Sequence, residues 1–258
     1  MRTIFIHLHI PKCGGSSVSD FLSRNFGKTL YSVNSILNDY QYTSEQIKKI
    51  IDHYPNLRCL TGHKLSLSLP YDTNDMSTIS LCWVRDPVDR FVSHYFYHRN
   101  HTTLVPEAKI LSIDDYISWA LEDGHQKMYI DGQVRFLSGG QLSTIQECIT
   151  NGTLLLFPLS KLKESFYTLT TLYPAYFSDW NVRTKNVSRK DQKIPGNIRE
   201  RVLPFVEKDL ALFELARRTE VVTPPKHKDI KPLNLSNKTK IVAYYLRKTA
   251  TLIERIGG

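Results

Sequence analysis

The amino-acid sequence predicts an α/β fold in which a mainly parallel sheet is flanked by helices, giving three layers. Two strand–turn–helix units predict it, because alternating strands and helices are typical of parallel sheets: one spans residues 3–26 and the other begins at Ile79. The chain has 258 residues, 41% of them hydrophobic, which suits one α/β domain with a full core. We therefore expect a single domain over residues 1–258, with about 220–258 as a linker and a docking helix.

The first unit carries clear strand and helix signals. Residues 3–9 run apolar like a short buried strand, and a helix follows the glycine-containing loop. The apolar positions of that helix share one face: Val18, Phe21, Leu22 and Phe26. Gly27 then supplies a C-terminal stop. Thr43 with Gln46 has the pattern of a capping box, which predicts a helix to about residue 53.

The second unit lies in the middle of the chain. After a stretch at residues 58–69 that we expect to be extended, residues 79–84 form a buried strand. Asp86 is the natural N-cap of the next helix, and Pro87 occupies its first position. Asp114 is predicted to cap a further helix.

The rest of the chain alternates between irregular stretches and regular elements. Residues 132–140 are predicted to be irregular, and residues 154–157 to form a strand. Helices are expected at four further places: residues 160–172, segments that start at Pro195 and Pro204, and residues 238–256 after a break at Pro224-Pro225.

Charge and cysteine content narrow the class of protein. A formal net charge of +9 predicts a surface that attracts anions. The cysteines lie far apart with no Cys-x-x-Cys pair, so we expect reduced thiols, with no disulfide or zinc site, at Cys13, Cys59, Cys82 and Cys148. Neither a signal peptide nor a membrane-spanning run is evident, so we expect a cytoplasmic protein. Five glycosylation sequons would then be chance occurrences: Asn100, Asn151, Asn186, Asn234 and Asn237.

The loop between the first strand and its helix has the composition of an anion-binding site. We call residues 11–17 the lysine–glycine loop; its sequence is Pro11-Lys12-Cys13-Gly14-Gly15-Ser16-Ser17. Backbone N–H groups and the helix dipole converge on one point at such a turn, and glycines permit close approach. A Walker loop would place the lysine after the glycines, so the order here argues against a nucleotide-kinase loop. A tight turn with N-cap serines remains the alternative reading.

The second unit offers a matching pair of residues. Arg85 closes a strand, and Ser93 follows two helical turns later, so a helix that begins at Pro87 can direct both side chains to one phosphate. The alternative is an exposed arginine and a serine on the helix surface.

These two segments resemble the PAPS-dependent sulfotransferases, especially the carbohydrate branch that includes the heparan sulfate 2-O- and 6-O-sulfotransferases. The resemblance implies the P-loop-like fold of that family. It also implies that Lys12 contacts the sulfuryl group and leaving phosphate, and that Arg85 and Ser93 bind the 3′-phosphate. Gly14, Gly15, Ser16 and Ser17 would bind the 5′-phosphate. Cys13 is a departure, because many relatives carry threonine there, but its backbone N–H could still bind the donor.

The acceptor hydroxyl needs a base, and His63 is our candidate. It lies between the two units in Gly62-His63-Lys64, which is similar to the Gly-His-Val element of heparan sulfate 2-O-sulfotransferases, although Lys64 replaces an apolar residue. A structural role for this histidine stays open, and His94 and His98 are rival bases. His94 and His98 are four residues apart, a spacing that metal-binding histidines use on a helix, but no acidic or cysteine ligand accompanies them.

A late basic segment, residues 183–190, resembles the loop that covers the donor nucleotide in related enzymes, and we select Ser188 and Arg189 from it. An ordinary solvated basic loop is the alternative.

The sequence thus predicts an enzyme that moves a sulfuryl group from PAPS to an acceptor hydroxyl, on a sugar or a small secondary metabolite, and releases PAP, with no metal required. A P-loop small-molecule kinase and a catalytically inactive PAPS-binding protein are the alternatives. Nucleic-acid binding is disfavoured, because the charge is dispersed and no aromatic ladder or zinc-finger spacing occurs.

Overall fold

A computed structural model describes residues 2–33, 42–67, 76–101, 104–183 and 193–222. Within these segments the chain forms a five-stranded sheet of order β2-β3-β1-β4-β5, and every neighbouring pair is parallel. The strands are β1 (Arg2–Leu8), β2 (Leu30–Val33), β3 (Cys59–Gly62), β4 (Met76–Val84) and β5 (Leu154–Pro158). The central strand β1 therefore lies between β3 and β4, and the carboxyl ends of all three meet at one edge.

Ten α-helices connect and cover the described strands. They are α1 (Gly15–Phe26), α2 (Ser44–His53), α3 (Pro87–His101), α4 (Glu107–Ile110), α5 (Ile113–Ile117), α6 (Gly132–Ser138), α7 (Leu142–Thr150), α8 (Leu162–Leu172), α9 (Ile198–Val202) and α10 (Glu207–Arg218). No helix in these segments is both long and apolar enough to cross a bilayer.

The two faces of the sheet bury different side chains, because successive residues of a strand point to opposite faces. Ile4 and Ile6 of β1 pack in a core cluster with residues of α2, α6, α7 and α10. Phe5 lies in a second cluster with residues of α1 and α8. Helices thus cover both faces, and the predicted three-layer α/β fold is confirmed.

Local capping signals were predicted well for two helices. The Thr43 hydroxyl accepts the N–H of Gln46, whose side chain in turn accepts the N–H of Thr43, so the predicted capping box of α2 is present. At α3, the Asp86 carboxylate accepts the N–H groups of Val88 at 2.9 Å and Asp89 at 3.1 Å, which confirms Asp86 as the N-cap.

Three local predictions were wrong. Ser112, not Asp114, caps α5, because its side chain accepts the N–H of Asp115. Of residues 58–67, the part of the predicted extended stretch that the structure describes, only Cys59–Gly62 form a strand. The stretch expected to be irregular is instead helix α6, whose residues Val134 and Leu137 are buried.

The reason for the error at α6 lies outside its own sequence. The carboxylate of Asp209, on α10, accepts the N–H groups of Gln133 and Val134 at 2.9 to 3.0 Å, so the cap comes from a distant residue. Gly139, at φ 67°, then ends the helix. The four cysteines are free thiols in the structure. The predictions for residues 224–225 and 238–256 lie outside the described residues.

Candidate active site

The lysine–glycine loop lies at the carboxyl end of β1 and leads directly into α1, which begins at Gly15. Gly14 adopts φ 81°, a conformation that only glycine enters without steric cost, and an added Cβ would overlap the Leu159 side chain. Lys12 is also left-handed, at φ 66°, which is unusual for a residue with a side chain. Strained backbone of this kind clusters at functional sites, and here it turns the chain into the start of the helix.

Gly15 makes room for a histidine ring. A Cβ built on Gly15 would overlap Nε2 of His9, the residue in which the strand gives way to the loop. The second loop glycine is therefore required by a close approach, since Gly15 itself has no left-handed φ.

Three cations lie at this loop. Two arginines hold its main chain, and the loop's own lysine contacts an aromatic ring. Arg85 donates from Nη1 to the Lys12 carbonyl at 3.4 Å, and Arg90 donates from Nε to the Pro11 carbonyl at 3.2 Å. The Lys12 Nζ atom lies 4.1 Å from the ring centroid of Tyr97. Burial and the charge of Arg85 lower the pKa of Lys12. Among the described residues, none of the three cations forms an ion pair with a carboxylate.

The other donor-binding candidates occupy different positions around this cluster. Ser93 is half-buried on α3, three residues after Arg90, and Ser16 is exposed in the first turn of α1. Ser17 is buried, and its hydroxyl donates to the carbonyl of Arg183 at 3.1 Å. Arg183 therefore lies beside the loop. Ser188 and Arg189 themselves lie outside the described residues.

His63 is brought to the loop because β3 is the neighbour of β1. Its Nδ1 lies 2.7 Å from the His9 carbonyl oxygen, and the two imidazole rings stack with centroids 3.9 Å apart. A carbonyl oxygen only accepts, so Nδ1 of His63 carries the proton. In the tautomer with its proton on Nδ1 the lone pair lies at Nε2, and the side chain is exposed.

Two further histidines beneath His63 remain neutral. Burial, followed by the nearby His63, lowers the pKa of His9 to about 3. Burial, with smaller contributions from His9 and His63, lowers the pKa of His7 well below its ordinary value, and His7 Nδ1 lies 2.7 Å from the Thr61 hydroxyl. His7 and His9 are therefore uncharged around neutral pH.

His94 and His98, the rival bases, are both buried on the face of α3 that also carries Arg90. Their ring centroids are 5.9 Å apart. Within the segments that the structure describes, no group of three or more His, Cys, Asp or Glu residues suits a metal ion.

A glutamine that sequence reasoning missed joins the two halves of the site. Gln133 accepts the N–H of Arg85 at Oε1 and donates from Nε2 to the Arg85 carbonyl, both at 2.9 Å. The Cys13 thiol donates to the same Oε1 at 3.3 Å. Gln133 is fully buried, and Asp209 holds its main chain. No local signal singled it out, because it lies in the stretch predicted to be irregular.

Cys13 is buried and stabilises the loop through two hydrogen bonds. Its N–H donates to the Ile10 carbonyl at 3.3 Å, and its thiol is occupied by Gln133. Burial raises the pKa of the thiol to about 11, so it stays protonated.

Comparison with known proteins gives two findings. The family model described as Sulfotransferase family matches residues 2–122, which include β1, the lysine–glycine loop, His63, β4 and α3. The crystal structure of a sulfotransferase from Alicyclobacillus acidocaldarius is similar at 15% sequence identity and a TM-score of 0.47, over 85% of this chain and 98% of that one. No curated protein matches. The N-terminal part of the chain, residues 2–122, which carries the loop and Arg85, is thus similar to the Sulfotransferase family.

Proposed function

We propose that this protein is a PAPS-dependent sulfotransferase that moves a sulfuryl group to an acceptor hydroxyl and releases PAP. The observation that carries the proposal is the cluster of Lys12, Arg85 and Arg90, which surrounds a helix start with no carboxylate ion pair in the described chain. Such a cluster has unsatisfied positive charge and suits a polyanion. The family match over residues 2–122 supports sulfuryl transfer as the class of chemistry.

The donor would lie across both strand ends. Gly14 and the first residues of α1, Gly15 to Ser17, would hold the 5′-phosphate, and Arg85 with Ser93 would hold the 3′-phosphate. Cys13 would shape the loop through its bonds to Ile10 and Gln133.

Sulfuryl transfer is an in-line displacement, in which the acceptor oxygen attacks sulfur and the bond from sulfur to the 5′-phosphate oxygen breaks. Positioning and stabilisation of charge carry most of the catalysis in the closely similar phosphoryl transfer. Lys12 would stabilise the negative charge that the departing phosphate gains. No step in this displacement requires a metal ion.

The hydroxyl proton would pass to Nε2 of His63. Support comes from the hydrogen bond between His63 Nδ1 and the His9 carbonyl, which fixes the ring and its tautomer. His63 is exposed, so an acceptor can reach it.

Ser188 and Arg189 would close over the nucleotide. The acceptor would be a sugar, as in the heparan sulfate branch, or a small secondary metabolite.

A thermal-shift titration tests the donor. PAP and PAPS should raise the melting temperature in a concentration-dependent manner, because a ligand that binds only the folded state stabilises it. ATP and GTP should have weaker effects. Stabilisation by ATP or GTP but not by PAP would contradict the proposal and favour a kinase.

Single variants test the roles. Lys12→Ala and His63→Ala should each lower turnover of labelled PAPS by at least about 100-fold, the usual value of a charge stabiliser or a general base. Lys12→Ala and Arg85→Ala should weaken PAP binding, whereas His63→Ala should not. Wild-type turnover in His63→Ala would exclude His63 as the base. Tight PAP binding without turnover, across a panel of sugar and small-molecule acceptors, would instead favour a catalytically inactive donor-binding protein.

A further inference from the structure

His94 is a buried histidine that faces the loop cations. It lies one turn after Arg90, whose side chain reaches the Pro11 carbonyl, and three residues before Tyr97, whose ring contacts Lys12. Residues at this spacing share a face of α3, so His94 lies on the side that meets the loop. Its side chain is 3% exposed, and neither ring nitrogen has a hydrogen-bond partner among the described residues.

The groups around His94 are cationic or neutral. Arg90 and His98 lie on the same helix, Lys12 lies in the loop, and Arg85 follows the end of β4. The ring centroid of Tyr129 lies 5.3 Å from that of His94. Burial is the largest cause that lowers the pKa of His94 well below its ordinary value, and those charges lower it further. Burial also raises the pKa of Tyr129 to about 12, so its hydroxyl stays neutral. His94 is therefore an uncharged imidazole in the ligand-free protein.

A buried imidazole with both nitrogens unsatisfied is costly, and buried polar groups in native proteins almost always have a partner. Phosphate and sulfate oxygens accept hydrogen bonds but do not donate them. A neutral imidazole offers them one N–H, and a protonated imidazole offers two. A polyanion that enters among Lys12, Arg85 and Arg90 would also compensate the repulsion that keeps His94 neutral.

We propose that His94 is a ligand for the anionic groups of the donor and that it takes up a proton when the donor binds. The inference rests on the proposed function, because it requires a nucleotide anion at the loop. His94 would then be a donor-binding residue whose charge appears only in the complex, where it holds a phosphate or sulfate oxygen.

Calorimetric titration with PAP in two buffers of different ionisation enthalpy measures the protons taken up on binding. At pH 7, wild-type protein should take up more protons per PAP than His94→Gln, by up to about one, because titration of the PAP phosphates is common to both. His94→Gln should bind PAP about 10-fold more weakly, the effect of one lost charge-assisted hydrogen bond. His101→Gln, at an exposed position on the same helix, is the matched control and should behave as wild type.

The sign of the pH dependence follows from the uptake of a proton. Wild-type affinity for PAP should fall as the pH rises, and it should fall more steeply than that of His94→Gln. Adenosine 3′-phosphate and adenosine 5′-phosphate, titrated separately, identify which phosphate induces the proton uptake.

A measurement on the wild-type protein covers the case in which His94→Gln does not fold. Imidazole ¹⁵N shifts should show one buried histidine that changes from neutral to protonated on addition of PAP. PAP binding with the same proton count in wild type and His94→Gln, or with no newly protonated histidine, would overturn this inference and leave the proposed function intact. Absence of PAP binding to wild type would overturn both.

Discussion

Gln133→Leu tests whether the buried glutamine holds Arg85 and the lysine–glycine loop in register. The substitution keeps the approximate volume of the side chain but removes its three hydrogen bonds. The N–H and carbonyl of Arg85 lose partners at 2.9 Å, and the thiol of Cys13 loses its acceptor at 3.3 Å.

The expected magnitude follows from those three groups. A buried main-chain group left without a partner costs about 1–3 kcal/mol. Arg85 is half-buried, so water can reach part of its main chain, and the lower end applies. The Cys13 thiol is a weak donor and adds little. We expect a loss of about 2 kcal/mol in the free energy of unfolding, or about 4–8 °C in melting temperature for a chain of this size.

The assays are urea denaturation and calorimetric titration with PAP. Affinity for PAP should fall about 10-fold, because Arg85 is no longer held at its side of the donor site. Gln146→Leu is the matched control: it makes the same change at an exposed position of α7 and should stay within about 0.5 kcal/mol of wild type. Unfolding and PAP binding of Gln133→Leu that match those of the control would refute the reasoning.

Two further predictions concern the histidines beside the loop. Gly15→Ala should displace the His9 ring, which its new Cβ would overlap, and should weaken PAP binding at least about 10-fold by calorimetry, whereas Gly196→Ala, with open space around its Cβ position, should not. Burial lowers the pKa of His9 to about 3 in the folded protein, against 6.5 when free. Below pH 6.5 the unfolded chain therefore binds a proton at His9 that the folded protein does not bind. Stability measured by denaturation from pH 6.5 towards pH 3 should therefore fall, by up to about 1.4 kcal/mol per pH unit from this residue, and His9→Gln should lessen the slope; an unchanged slope would contradict a neutral His9.

Local sequence patterns predicted much of the fold correctly. The apolar strand, the glycine loop and the one-sided helix together predicted β1 and α1, and Asp86 with Pro87 predicted the start of α3. These signals are local, since each depends on neighbours within one helical turn or a few strand residues. The prediction for α6 was wrong for the opposite reason. The N-terminal N–H groups of this helix are satisfied by Asp209, which lies 76 residues from Gln133 in sequence.

The candidate site divides in the same way. Lys12 and Arg85 were identified from motifs that lie at strand ends, where a parallel sheet collects its functional side chains. The proximity of His63 to the loop depends on β3 lying beside β1, and strand order is set by packing between distant segments. Gln133 had no motif at all, because its role depends on contacts with Cys13 and Arg85, 120 and 48 residues away.

The contacts of the loop cations also explain why the positive charge remains available. Arg85 and Arg90 donate to carbonyl oxygens, and Lys12 lies over an aromatic ring, so the direct contacts of all three are with neutral groups. The charge of the buried Asp209 carboxylate acts on Arg90 without forming an ion pair with it in the described chain. A carboxylate in any of those places would have held the side chain equally well but would have neutralised it. The lowered pKa of Lys12 follows from this arrangement, because burial and the charge of Arg85 both favour loss of its proton. An incoming polyanion reverses that balance, and a site built in this way gains most from a ligand that carries several negative charges.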